Sequence, residues 1–512
     1  MTTISTSRSR GGSDPAWGPD AADPADVVGA RERMRWFVTF WVMAMAFHHT
    51  DSHPRAVVGI LVLSLPVLAW PTSAPLVGAF LSLCVAIAAG ALPEAANHMV
   101  LIMFTGLAFG VAAVVAAGRP GAHSRDGGPF VRRWFDAART AAGLSLLVVY
   151  GFTVFHKLNT AFFDPNSSCA GRLLRQALAL NGLDPELAGP AVVTPAAVGT
   201  VVVEAVILVL LAVPGLRRWG LPLGVGFHSV LALASFYDFA TTVFALYLLL
   251  VPTRVFAAVA SPTPARRPRV RLGLRGWALV AFAVHVLVSL AGDSEISLPL
   301  HWHTVRVLTW YLAVLPYMLT LVRASFADQR SRGSLVDRPS RGNLAARRWP
   351  GWRAHPALLL VPLLAFANGA APYLGLKTVA SYSMFSNLHT EAGHTNHLLG
   401  GVNELQVLPY ERDVVTVVNV EGPPRADVRA GVWMRERPPQ VVPWLELRRV
   451  AALWRDLGIA PVALEYIRDG VPHIIDDARN DPELSAPMPW WQRRLLAFRA
   501  IDSGSGADRC RW

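Results

Sequence analysis

Lysine is almost missing from this chain. Of its 512 residues only Lys157 and Lys377 are lysines, so 45 of the 47 basic residues counted as Lys+Arg are arginine. A position that keeps lysine against that preference points to what arginine lacks, a nitrogen that can give up its proton near neutral pH. The alternative is a lysine that ends a membrane helix and snorkels its ammonium to the headgroups. Cysteine is scarce too: three residues are too few for a disulfide framework, and no Cys-x-x-Cys or zinc-like Cys/His spacing is present. Charged residues make up only 16% of the chain against 53% hydrophobic ones, which excludes an ordinary water-solvated domain and predicts a multi-pass membrane protein. No basic face with interleaved aromatics accompanies the net charge of +12, so nucleic acid is excluded as a partner. The first 30 residues have no apolar core, which excludes a signal peptide and reads as a disordered cytoplasmic tail.

What is present is a series of apolar segments, near 34–50, 56–70, 75–92, 99–117, 141–157, 192–213, 219–236, 238–252, 276–291, 304–322 and 355–372. The expected fold is an all-α polytopic membrane bundle of about eleven spans over 31–372, an interfacial connector at 373–400, and a small extracytoplasmic α+β domain at 401–512. With the amino terminus inside, the inner loops 118–140, 214–218, 253–275 and 323–354 carry five, two, six and eight arginines. Such loops orient a bundle by the positive-inside rule and place the carboxyl-terminal region outside the cell membrane. The uncharged 71–74 loop makes spans two and three the pair whose removal, leaving nine, preserves every later orientation.

Histidines share this asymmetry: His48, His49, His53, His98, His156, His301, His303, His389, His394, His397 and His473 all fall at or beyond outer ends, and only His123 and His355 near the inner side. Chemistry therefore faces outward. Glu204, His228 and Asp238 lie deeper, where an ionisable group needs a partner or a polar cavity; a hydrogen bond between packed helices is the competing account. Cys169 and Cys510 both fall on the outer, oxidising side and are expected to form a disulfide, whereas Cys84 lies in a span and stays reduced.

Beyond about Tyr373 the composition turns soluble. Strands are expected at 412–420 and, as a hairpin turning at Arg468-Asp469-Gly470, within 461–475; amphipathic helices are expected at 443–458 and 490–501. The His389, His394 and His397 group around Glu391 has metal-like spacing, but Gly393 breaks the helix that would align it, so no metal is expected.

HKLN at 156–159 closing an apolar span, the Asn97-His98 pair heading an earlier one, FHSVLALASFYDFATTVFALYLLLVP at 227–252, and the YSMFSNL…NHLL stretch together resemble the HTTM family, the bacterial relatives of vitamin K-dependent γ-carboxylase. The resemblance covers roughly 30–400. It implies that Lys157 is the base that deprotonates reduced vitamin K or menaquinol, with His98 as its catalytic support and Asn97, His156, Asn159, Glu204 and His228 around the cavity. It further implies O2 and CO2 as co-substrates, an epoxide co-product, and a glutamyl peptide substrate on the outer face. His156 stands where the animal enzyme carries a second lysine, and the carboxyl-terminal domain is short for a peptide-binding apparatus; both put protein carboxylation in doubt more than quinol chemistry. Two other classes stay open: a non-enzymatic membrane protein or transporter that kept the bundle, and a lipid-modifying transferase.

Overall fold

The computed structural model describes residues 24–50, 54–118, 128–260, 269–291, 301–333, 355–391, 395–423, 439–459, 461–501 and 510. The expected tail up to residue 23, His53, His123, Gly393, His394 and much of the arginine-rich inner loops lie outside these residues, as does the His49 side chain.

Each of the eleven apolar segments is helical. In chain order the helices are α1 (Pro24–Thr50), α2 (Pro54–Ala69), α3 (Ala74–Gly90), α4 (Asn97–Ala117), α5 (Gly128–His156), the short α6 (Thr160–Phe163), α7 (Cys169–Leu180), α8 (Pro190–Ala212), α9 (Arg217–Ala232), α10 (Tyr237–Leu250), α11 (Thr253–Ala260), α12 (Arg269–Ala291), α13 (Trp302–Gly333) and α14 (Leu360–Ala370). Five of these contain stretches long and apolar enough to cross a membrane: Asn97–Ala117, Phe130–His156, Pro190–Ala212, Gly273–Ala291 and Trp302–Asp328. The bent pair α10 and α11, turned by 99°, makes a sixth if it is one span, and Val58–Ala69, Ala74–Gly90 and Pro356–Ala370 are shorter apolar helices. These are the helices of a membrane-spanning protein.

Their side chains sort by partner. α1 runs through the centre, with Phe37, Phe40, Trp41, Val42 and Met43 all but fully buried against α10, α11 and other neighbours. α8 is peripheral. Its Val198, Val202, Val206 and Val209 recur at helical spacing and are exposed, the stripe a lipid-facing helix presents, while Glu204 on another face is 7% exposed.

The carboxyl-terminal region holds a four-stranded antiparallel sheet in the order β2-β1-β3-β4, from β1 (Val414–Glu421), β2 (Gln440–Pro443), β3 (Ala463–Arg468) and β4 (Val471–Ile475). The β3–β4 hairpin turns where expected: Asp469 and Gly470 both have positive φ, 51° and 78°, the backbone a two-residue turn of this kind requires. Helix α15 (Trp444–Asp456) buries Leu447, Val450 and Trp454 in one core with Val415, Val417, Leu464 and Tyr466 of the sheet.

The last expected helix is shorter than its sequence suggests. α16 covers only Trp490–Leu495, and the chain then runs extended because better partners are at hand. Thr378 N and Val379 N donate to Ala497 O at 3.2 and 3.1 Å, Arg499 N donates to Thr378 Oγ1 at 2.7 Å, and Ile501 pairs with Val441 of β2. The tail thereby packs into 373–391, an irregular and largely buried segment. Arg449 fastens the domain to the bundle, bonding both Glu446 and Glu94 at 2.7 Å. Buried between two carboxylates, its guanidinium is held firmly charged although burial alone opposes it.

Candidate functional site

HKLN is a helix end followed at once by a cap. α5 stops at His156, and Asn159 caps α6 by accepting from Phe162 N at 2.8 Å. The Asn159 amide donates back to His156 O at 2.8 Å and across to Ser386 O at 2.6 Å. This break leaves Lys157 just beyond the helix with its side chain directed inward, 8% exposed. Its Nζ donates to Glu204 Oε2 at 2.7 Å and to Thr153 O at 3.2 Å. Such a lysine does not snorkel: its charge is matched by a carboxylate within the bundle.

Beside this pair lies a second polar group. Tyr150 of α5 hydrogen-bonds His228 Nε2 of α9 at 2.6 Å and also the Tyr247 hydroxyl of α10. Glu204 interacts electrostatically with both tyrosines, and Lys157 with His228, so the five groups share one electrostatic environment. Gly224 permits the close approach of α9 to α10, since a Cβ there would run into the Tyr247 hydroxyl and ring.

His98 belongs to a third group. Its Nε2 is 2.7 Å from His48 Nδ1 and 3.4 Å from Asp238 Oδ2, and His48 Nδ1 is 3.0 Å from the same oxygen. The Phe239 ring links the two regions, 6.5 Å from the His98 ring and 5.3 Å from that of His228. The structure thus places Lys157 with Glu204, near His228, and sets His98 in a neighbouring cluster with an aromatic wall between.

Asn97, His156 and Asn159 hold the scaffold. Asn97 Oδ1 accepts from Tyr382 N at 3.0 Å, and Asn159 grips Ser386 O. His156 is fully buried between Phe152 and Tyr373, its Nε2 3.1 Å from Gly369 O of α14. The loop that Asn97 and Asn159 clamp is conformationally costly: Ala380, Tyr382, Phe385 and Asn387 have positive φ between 55° and 65°. Asn387 pays part of that back by bonding Cys169 N at 2.7 Å and Ser167 O at 2.9 Å. Next to these bonds Cys169 and Cys510 form a disulfide, and Cys84 is a free, buried thiol.

The two connector histidines among the described residues, His389 and His397, face different partners. His397 Nε2 lies 3.1 Å from Phe155 O, whereas His389 Nδ1 faces Glu391 Oε2 at 3.3 Å. Burial raises the Glu391 pKa, but the His389 hydrogen bond and charge outweigh it and hold the group below the usual carboxylate range. Lys377, the other lysine, is 9% exposed, and burial pushes it down to about 8.

Sequence reasoning misses Tyr150, Tyr247 and the partnership of His48 with Asp238. A tyrosine inside an apolar run reads as core, and the members of the His/His/Asp group are scattered over three helices. The spacing of charged residues held one usable sign, since Asp238 and Glu204 stand out in otherwise apolar runs.

Comparison with family models, with curated proteins and with solved structures finds no match.

Proposed function

We propose that this is an integral membrane enzyme of the vitamin K-dependent γ-carboxylase-like, HTTM kind, in which Lys157 with Glu204 takes the proton of a reduced quinone. The observation that carries this reading is the buried Lys157–Glu204 pair at 2.7 Å, in a chain that otherwise uses arginine almost throughout. A carboxylate in contact can share the ammonium proton, and the neutral amine is then a competent base. Arginine at the same place would keep the pair and lose the base. Tyr150, Tyr247 and His228 supply hydroxyl and imidazole groups beside it to orient a quinol hydroxyl. The quinol anion reacts with O2: one oxygen atom enters the quinone epoxide and the other leaves as water, after its basic precursor has taken a proton from a carbon acid. CO2 captures the carbanion where the carbon acid is a glutamyl side chain.

In this reading the bundle has about eleven spans, the amino terminus is cytoplasmic, and the carboxyl-terminal domain lies outside. The Cys169–Cys510 disulfide supports the outer placement, because such bonds persist in oxidising compartments. The test is to add reduced menaquinone or vitamin K to membranes containing the protein and follow O2 uptake and epoxide. Epoxide formed by wild type and lost in Lys157→Arg supports the assignment; no epoxide from folded wild type rejects it.

One observation favours a second reading, a transporter. The 99° break between α10 and α11, in a bundle that also buries a charge pair, is a feature that transporters use for substrate and ion sites. The two readings differ in O2: a transporter works without it, whereas a quinol enzyme consumes it, forms epoxide and loses that activity in Lys157→Arg.

A further inference from the structure

We infer that His48, His98 and Asp238 form a binding site for a first-row divalent metal ion. This inference is independent of the quinol reading. Three helix ends meet here: His48 is in the last turn of α1, His98 in the first turn of α4, and Asp238 in the first turn of α10. Each offers one ligand atom, and the three side chains are partly buried.

The triangle they define has sides of 2.7, 3.0 and 3.4 Å. Three ligands about 2.1 Å from a metal span sides of about 3.0 Å on an octahedral face and about 3.4 Å in a tetrahedron. A point at that distance from all three atoms exists here, roughly 1 Å off their plane. The two rings meet at 71°, edge to face, with centroids 4.5 Å apart, so two imidazole nitrogens approach one point without stacking.

Hydrogen bonding alone serves this triangle poorly. Asp238 Oδ2, when ionised, only accepts, and each imidazole nitrogen either donates or accepts. If one nitrogen carries a hydrogen, two lone pairs face each other across one side of the triangle unless that hydrogen is split. If both do, two N–H groups oppose each other across 2.7 Å. A cation satisfies all three atoms at once.

The surroundings hold these atoms in place. Asp238 Oδ1 accepts from Phe239 N at 2.6 Å, which turns Oδ2 toward the histidines. Asn97, next to His98, is pinned to Tyr382 N at 3.0 Å. Two imidazoles and one carboxylate suit Fe(II), Mn(II), Co(II) or Zn(II) better than calcium or magnesium, which take oxygen ligands, or Cu(I), which takes sulfur. Three protein ligands also leave positions open for water or a substrate oxygen.

Cobalt(II) is the probe. Full-length protein purified in detergent and treated with chelator is titrated with cobalt chloride, then with zinc chloride. One cobalt per chain with visible ligand-field absorption, displaced by zinc, is the expected result. Asp238→Asn, which keeps size and an oxygen to accept from Phe239 N, and His48→Ala should each weaken binding by about 100-fold or more, while His473→Ala, on the β4 strand of the carboxyl-terminal sheet, changes nothing. Each variant is accepted as folded if it retains the Cys169–Cys510 disulfide and the wild-type gel-filtration volume. Failure of folded wild type to bind one equivalent overturns the assignment, as does unaltered binding in either folded variant. Binding that persists in Lys157→Arg shows that the metal site stands apart from the proposed base.

Discussion

Lys157 Nζ donates to Glu204 Oε2 across 2.7 Å, joining the end of α5 to the middle of α8. Both side chains are 10% exposed, so neither charge has bulk water to fall back on. Removing one partner leaves the other buried and unpaired, at a cost of about 3–5 kcal/mol. Lys157→Ala and Glu204→Ala are therefore expected to lower the melting temperature in detergent, and the double variant to recover part of the loss. A double-mutant cycle with no coupling between the sites would reject the pair.

Lys157→Arg separates structure from chemistry. Arginine preserves charge and reach, so melting should stay close to wild type. Its guanidinium stays protonated and cannot act as the base, so epoxide formation should fall by about 100- to 10,000-fold. A small primary amine added to Lys157→Ala should restore part of the rate, and should do nothing for His98→Ala, where no proton acceptor near the quinol is missing. Near wild-type turnover in Lys157→Arg would remove Lys157 from the mechanism.

How far the sequence foretold this arrangement depends on whether a residue's partner was near it in the chain. The HKLN break, the β3–β4 hairpin and the helical segments all follow from local rules, capping, turn chemistry and apolar runs, that act over a few residues. Glu204 was conspicuous because a carboxylate in TVVVEAVILVLLAV has no local reason to be there, yet nothing in that run names Lys157 as its partner. His48, His98 and Asp238 meet only because α1, α4 and α10 end together. Leu496–Ile501 carried a helical pattern, but backbone partners at Thr378, Val379 and Val441 drew it out straight. The count of spans is likewise a tertiary matter: α1 is buried almost without break from Trp36 to Phe47 although arginine and glutamate near its start lower its apolar character.

The Cys169–Cys510 bond closes a loop over a sequence separation of 341 residues. Losing a native disulfide costs typically about 2–4 kcal/mol, so Cys169→Ser should lower the melting temperature and loosen the tail that Arg172 holds through Cys510 O at 2.6 Å. A peptide map of unreduced protein should contain the Cys169 and Cys510 peptides as one mass, split by reductant, with Cys84 alkylated only after unfolding. Separate peptides without reductant would refute the bond.

Asn97 serves the loop more directly than it serves the base. Its Oδ1 takes the N–H of Tyr382, whose φ of 65° is unfavourable for a residue with a Cβ. Asn97→Ala leaves that N–H without its acceptor, at a cost of about 1–3 kcal/mol. Hydrogen exchange should accelerate across 380–387 and leave α4 unchanged beyond its first turn. Unaltered exchange at Tyr382 would show that other contacts hold the loop.

Lys377 gives the fold a dependence on alkaline pH. Burial lowers its pKa from 10.5 to about 8, and the bond it makes, to Ala380 O at 3.5 Å, is long. The native state therefore releases this proton more readily than the unfolded chain, which binds more protons between pH 8 and 10.5. Stability consequently rises with pH across that window: the cost of burying the ammonium is fully present below pH 8 and has vanished above 10.5. A shift of this size corresponds to at most about 3 kcal/mol. Lys377→Met keeps the stem and removes the charge, so it should be more stable than wild type at pH 7 by about 1–3 kcal/mol. The two melting temperatures should draw together as the pH approaches 10.5. A constant difference from pH 7 to 10 would mean that Lys377 is solvated in the native state.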